Sequence, residues 1–130
     1  MTTELWMLVW SAVLCLVIPI VYVVGLVPLP GGLVWGLGNR DTALEVPLWV
    51  ARARRAHANL VENLAPFAIV VLTAHVAGEE NATTALGATL FFWARVAHFL
   101  VYAAGIPYVR TLAFGIAIIG EIMIVTQLFG

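Results

Sequence analysis

Long apolar runs without charge constrain this chain more than any other feature of its sequence. No charged residue occurs between Glu4 and Arg40, and 63% of the 130 residues are hydrophobic. A run of about 20 apolar residues can cross the hydrocarbon core of a bilayer as a helix. Because lipid leaves no partner for free backbone N–H and C=O groups, such continuous runs predict an all-α integral membrane protein.

Four runs of this kind fit into the sequence, separated by segments rich in Gly, Pro or charge. We expect one four-span domain over residues 1–130, folded as a four-helix bundle, with no soluble domain. The single cysteine, Cys15, excludes a disulfide within the chain. A net charge of -1 gives no indication of nucleic-acid binding. The predicted spans cover about 5–27, 49–77, 83–104 and 111–129.

The arginines are concentrated at one end of the predicted bundle. Arg40 and Arg110 fall in the first and third loops, and Arg52 opens an arginine cluster at the start of the second span. The acidic loop with Glu79 and Glu80 lies at the opposite end. The positive-inside rule therefore predicts a cytoplasmic arginine-rich end and both termini outside. Richness in Ala and Arg without any Lys favours a bacterial protein of the inner membrane.

The second span begins with the polar stretch "RARRAHANLVEN" (52–63), which is unusual in a membrane helix. Arg52, Arg55, Asn59 and Glu62 are spaced 3, 4 and 3, so they share one face of the helix. A charged side chain near the middle of a span costs about 2.5–3.5 kcal/mol on insertion scales. Glu62 lies roughly 15 Å beyond Arg52 along the axis, so it needs a partner inside the bundle.

A second polar face in the third span supplies candidate partners. Arg95, His98 and Tyr102 are spaced 3 and 4 in an otherwise apolar helix. Glu62 and Arg95 are predicted to form a buried ion pair, because either charge alone would be uncompensated. The two polar faces predict a pocket for a small anion with several carboxylates, since guanidinium groups pair well with carboxylates. Alternatively, such faces serve only as contacts between helices.

These residues also carry a resemblance to a known family. The patterns "RAxRAHANxxEN..PF" (52–67) and "ARVAHFLVY" (94–102), followed by Arg110, resemble the MAPEG superfamily of membrane-associated proteins in eicosanoid and glutathione metabolism. The resemblance covers nearly all of the chain. It implies a homotrimer in membrane lipid, with glutathione sites between subunits at the cytoplasmic end. It further implies transferase or peroxidase activity on lipophilic electrophiles.

The resemblance also implies roles for individual residues, with glutathione as co-substrate and no metal. Arg110 matches the arginine that stabilises the glutathione thiolate, the reactive form of the thiol. Arg40 matches a further glutathione-contacting arginine, and Arg52 joins the site through its place on the polar face. The remaining residues expected to bind glutathione are Arg55, Asn59, Glu62, His98 and Tyr102.

Two other functions fit the same sequence features. A non-catalytic protein of this fold would bind another anionic ligand or a lipid without forming a thiolate. A small four-span transporter would need an essential acid in its first span, where this chain has none between Glu4 and Arg40. Asn63 and Ala65 replace tyrosines of some relatives, so eicosanoid synthesis is not expected. Glu121, in the last span, has no partner that the sequence identifies.

Overall fold

The fold is an all-α bundle, as the sequence predicts. The computed structural model describes residues 1–130 and contains five helices and no strand. Four of the helices are long and apolar enough to cross a membrane, namely all except the second. The helices are α1 (Thr3–Val24), α2 (Gly32–Leu37), α3 (Leu48–Ala77), α4 (Ala82–Ala104) and α5 (Pro107–Gln127).

Local sequence signals explain where the long helices begin and end. Asn81 begins α4 with a capping box, in which its side chain accepts from the Thr84 backbone N–H while the Thr84 hydroxyl accepts from the Asn81 N–H. Helices α3 and α4 both end at a left-handed glycine, Gly78 with φ 73° and Gly105 with φ 83°. Glycine adopts this conformation without the steric penalty of a Cβ.

The structure differs from the sequence prediction in the two loops of the arginine-rich end. The first loop contains the short helix α2, which at 6 residues is too short to be detected by periodicity. The last helix begins at Pro107, so Arg110 lies in its first turn and not in a loop. Proline is well suited to this position because its fixed φ is helical and its missing N–H would have no partner there.

Contacts between helix ends establish an up-and-down arrangement. At one end, the Thr2 hydroxyl donates to Glu80 at 2.6 Å and the Asn81 side chain donates to Gln127 at 3.0 Å. These bonds join the start of α1, the α3–α4 loop and the end of α5. At the other end, the start of α3 meets the α4–α5 turn. We call these the termini end and the arginine end of the bundle.

The core is built around a close approach of α4 to α5. A Cβ added to Gly120 would stand 3.0 Å from the backbone nitrogen of Phe91 and would also meet the carbonyl oxygen of Gly87. Small residues at such a crossing allow the two backbones to pack closely. Phe67 of α3 stacks on Phe91 with ring centroids 3.7 Å apart. The buried cluster comprises Phe67, Val71, Ala74, Ala88, Phe91, Ala94, Ala117 and Ile124.

The outer surface is apolar, as expected of a bundle that faces lipid. Only 23 of 130 residues are buried, and the exposed ones include many large aliphatic side chains. Leu16, Ile69 and Ile119, for example, expose 72%, 65% and 56% of their surface. Against this background, the polar side chains that line two adjoining cavities at the arginine end are distinctive.

Candidate functional site

The two polar faces predicted from the sequence line adjoining cavities at the arginine end. The cavities have volumes of about 340 and 410 Å³ and share Arg55, Tyr102 and Arg110. We call the combined depression the arginine pocket. The helices α3, α4 and α5 contribute its walls, which are formed by Arg52, Arg55, Ala58, Asn59, Glu62, His98, Tyr102, Gly105, Ile106, Pro107, Arg110, Thr111 and Phe114.

A glycine of the α4–α5 turn leaves room for the first pocket arginine. The half-buried guanidinium of Arg52 packs directly against Gly105, where a Cβ would stand 2.7 Å from its Cζ. Gly105 is the C-cap of α4, the end at which the helix dipole is negative. Gly105 therefore supplies both the left-handed turn that ends α4 and the space that Arg52 occupies.

Two further arginines converge on the ring of Tyr102. The Cζ atom of Arg110 lies 4.4 Å from the ring centroid, and that of Arg55 lies 5.9 Å from it. The ring quadrupole attracts each cation, but the two cations repel each other. The electrostatics of the pocket therefore favour an anion that contacts both guanidinium groups.

No acid within the chain neutralises these cations. The one contact within 4.0 Å between a basic and an acidic side chain joins His75 to Glu80 at the termini end. The pocket itself holds three arginines against one glutamate, Glu62. An excess of guanidinium groups without carboxylate partners is the arrangement expected of an anion-binding site.

Histidine and tyrosine complete the α4 side of the arginine pocket. His98 is buried, and its ring meets Tyr102 edge-on with centroids 5.5 Å apart. The same pair was predicted from its spacing on α4. His57, by contrast, faces α1, where its Nε2 donates to the carbonyl oxygen of Cys15 at 3.0 Å. Its contacts are structural, and it does not line the pocket.

The predicted ion pair of Glu62 with Arg95 is not formed. Nη1 of Arg95 instead donates to Oδ1 of Asn59 at 2.8 Å, one helical turn before Glu62 on α3. The Arg95 side chain is buried, with 1% of the residue's surface exposed. The prediction was wrong because the relative height of two antiparallel helices, here shifted by one turn, is not visible in their spacing patterns.

Glu62 is accounted for by a different environment. Its side chain lines the larger of the two cavities of the arginine pocket and is exposed on the surface of the single chain. Two apolar neighbours on the same side of α3, Val61 and Ile69, are exposed by 49% and 65%. The pocket is thus open at the side of the bundle beside Glu62. The surface around this opening is apolar and suited to contact with lipid or with another helix.

Arg40 does not line the pocket within the chain. It has a left-handed backbone with φ 61°, and its guanidinium lies 5.4 Å from the Trp35 ring centroid and donates to the carbonyl oxygen of Gly36. Arg54 approaches the same ring at 5.9 Å. These two arginines flank the loop that contains α2, apart from the residues that surround the cavity.

Two pocket residues that lie beyond Arg110 on α5 were not predicted from the sequence. Thr111 and Phe114 follow Arg110 on α5 and line the larger cavity, of about 410 Å³, together with Glu62. Their spacing from Arg110 and Pro107 places them on one helical face, but only if α5 begins at the proline. A helix start at Pro107 was the signal that would have identified them.

Comparisons with known proteins agree with the family resemblance of these motifs. A sequence model of the MAPEG family matches residues 5–130 of the chain. Microsomal glutathione S-transferase 1 from Bos taurus is 40% identical over 66 residues, which are 50% of this chain and 43% of that protein. The match therefore spans less than half of the length of that relative. No solved structure matches the chain.

Proposed function

The chain belongs to the MAPEG family, and we propose from this membership and from the arginine pocket that it is a glutathione-dependent membrane enzyme. The proposed activity is transfer of glutathione to lipophilic electrophiles, or reduction of lipophilic peroxides by glutathione. The observation that supports it most directly is that the pocket contains three arginines, none of which forms an ion pair with an acid of the chain.

The charges of the arginine pocket complement those of glutathione. This tripeptide carries two carboxylates, one ammonium group and, in its reactive form, a thiolate. Arg52, Arg55 and Arg110 offer three cationic groups, and Glu62 offers one anionic group. Cavities of about 340 and 410 Å³ are also within the size range of small-molecule sites, roughly 300–1,000 Å³.

Arg110 is the residue proposed to stabilise the thiolate. A guanidinium near a thiol favours the deprotonated form, and each unit of lowered thiol pKa corresponds to about 1.4 kcal/mol. The thiol proton passes to water. The thiolate sulfur then forms a bond to the electrophilic carbon, and the leaving group departs with the bonding electron pair. No protein side chain forms a covalent intermediate.

The lateral opening beside Glu62 suggests how the lipophilic substrate enters and what completes the site. An electrophile dissolved in the bilayer can reach the pocket between the exposed apolar side chains of α3. In a homotrimer, a neighbouring copy would cover part of this surface and enclose Glu62. Sedimentation of the detergent-solubilised protein should then give the mass of three chains, whereas a single chain would contradict the proposed assembly.

We also propose that the arginine end faces the cytoplasm, where glutathione would be supplied, with both termini outside. The positive-inside rule supports this orientation, because the arginines lie in or beside the first and third connections. A bacterial inner membrane is the proposed location. Labelling of a cysteine placed at either end, in sealed cells, would test the orientation independently of the activity.

The test of the proposed activity is a pair of arginine variants. Arg110→Ala should lower turnover of a chlorodinitrobenzene substrate about 100-fold, the effect typical of losing one group that stabilises developing charge, and should leave the Kd for glutathione largely unchanged. The matched control is Arg54→Ala, which removes an exposed arginine outside the pocket. Loss of binding and turnover in equal proportion would make Arg110 a binding residue instead. Wild-type protein that binds glutathione without turnover would favour a non-catalytic member of the family.

A further inference from the structure

We infer that Arg95 is a positioning residue that fixes the side-chain amide of Asn59 with its N–H groups directed into the arginine pocket. The inference concerns the donor pattern that the pocket presents to its ligand, and it rests on the proposed function for the identity of that ligand. It follows from one hydrogen bond and from the limited chemistry of a guanidinium group.

Arg95 is held rigidly beneath the pocket. Its side chain is 1% exposed, and its Cζ lies 5.2 Å from the ring centroids of both Phe91 and Phe114. The hydrogen bond from its Nη1 to Oδ1 of Asn59 is 2.8 Å long. Its Nε and Nη2 are buried without any hydrogen-bond partner. The Asn59 oxygen is therefore the one acceptor to which this buried cation donates a hydrogen bond within the chain.

The orientation of the Asn59 amide follows from this contact. A guanidinium donates hydrogen bonds and cannot accept one, so only the oxygen of an amide can face it. If the amide were turned over, two N–H donors would face a buried cation. Nδ2 of Asn59 therefore lies on the side away from Arg95, and it makes no hydrogen bond within the chain. Because Asn59 lines the pocket, this group is a free donor at the wall of the pocket.

The consequence is selectivity for an anionic group at this point of the pocket. A neutral amide that could rotate would accept or donate with equal ease. Fixed by Arg95, it can only donate, in the same sense as the arginines around it. The arrangement favours a carboxylate oxygen or a thiolate sulfur at Asn59 and disfavours an ammonium group, which can only donate.

Substitutions of Asn59 distinguish the contribution of its amide oxygen, which faces Arg95, from that of its N–H groups, which face the pocket. Asn59→Asp keeps an acceptor for Arg95 but presents a carboxylate oxygen to the pocket. Asn59→Ala removes both sides. By isothermal titration, glutathione should bind Asn59→Asp at least about tenfold more weakly than it binds Asn59→Ala, because an acceptor would face the anionic ligand. Affinity in Asn59→Asp equal to that of the wild type would overturn the inference.

Replacement of Arg95 tests whether the amide orientation depends on it. Arg95→Gln can both donate and accept, so the Asn59 amide is free to turn over, and the KM for glutathione should rise while kcat changes little. Arg95→Lys, which like arginine only donates, should recover a large part of the lost affinity. If kcat and KM changed in the same proportion in both variants, with no recovery by lysine, Arg95 would have only a structural role.

Thermal stability provides a test that does not depend on glutathione. With Arg95 present, Asn59→Asp should melt at a higher temperature than Asn59→Ala, since the carboxylate pairs with the buried cation. In an Arg95→Met background this advantage should disappear. An equal difference in both backgrounds would overturn the inference. Failure of the wild type to bind glutathione, in contrast, would refute the proposed function and leave this melting order unchanged.

Discussion

The two ends of the bundle contain similar polar side chains but use them differently. At the termini end, Glu4 is buried and its carboxylate contacts the Thr84 hydroxyl at 2.5 Å, while Glu80 bonds both Thr2 and His75. Each of these groups has a partner from another element of the chain or from a neighbouring turn. At the arginine end, the pocket arginines have no carboxylate within 4.0 Å.

This difference separates structural polarity from functional polarity. Paired groups at the termini end join α1, the α3–α4 loop and α4, and so they stabilise the bundle without any ligand. The arginine end retains repulsion between cations that a bound anion would relieve. Substitution of polar residues that are hydrogen-bonded to each other should therefore lower the stability of the fold. Substitution of polar residues without partners in the chain should lower the affinity for the ligand. Variants at matched positions of the two ends can test this division.

Removal of the buried acid at the termini end should have the largest effect on stability. Glu4→Ala should lower the free energy of unfolding by about 2 kcal/mol, because it deletes a buried hydrogen bond to Thr84 and an acid in the first turn of α1. Chemical denaturation in detergent measures the loss. Glu45→Ala, in an exposed loop, is the control and should stay within about 0.5 kcal/mol of the wild type. A fall in glutathione affinity in Glu4→Ala would contradict the assignment of only structural polar groups to the termini end.

The two left-handed glycines allow a direct comparison between the ends. Gly105→Ala and Gly78→Ala should both lower the free energy of unfolding by about 1 kcal/mol, since both require a positive φ at a residue with a Cβ. Only the Gly105 substituent would also collide with Arg52, because the space around Gly78 is open. Glutathione affinity should therefore fall in Gly105→Ala alone. Equal affinities in the two variants would show that the position of Arg52 is unimportant for binding.

The smallest expected effect is a pH dependence of stability at the termini end. The Thr2 hydroxyl, and to a smaller extent His75, hold the pKa of the Glu80 carboxyl below its ordinary value of 4.5. A lowered pKa means that this contribution to stability is complete above the pKa of the unfolded chain and is lost as the pH falls through the folded pKa. The melting temperature of the wild type should therefore decrease slightly more than that of Glu80→Gln below about pH 4.5. Parallel curves would contradict the assignment.

The fold and most of the pocket could be predicted from the sequence because both depend on patterns along a single helix. Apolar run lengths identify the spans, and spacings of three and four residues place Arg55, Asn59 and Glu62 on one face. The structure then adds what those patterns do not contain. The relative height of α4 and α3 determines that Arg95 donates its hydrogen bond to Asn59 and not to Glu62. The loop conformation that places Arg40 against the Trp35 ring could not be predicted either, because a loop has no periodic sequence pattern.

The central claim is that the unpaired arginines of the pocket hold glutathione as a thiolate. The most direct measurement is the ultraviolet difference absorbance of the thiolate, recorded while wild-type protein and Arg110→Ala are titrated with glutathione. We predict a saturable thiolate band in the wild type that is absent from Arg110→Ala, although both variants bind glutathione. Glutathione binding by the wild-type protein without a thiolate band, or an equal band in the variant, would contradict the claim.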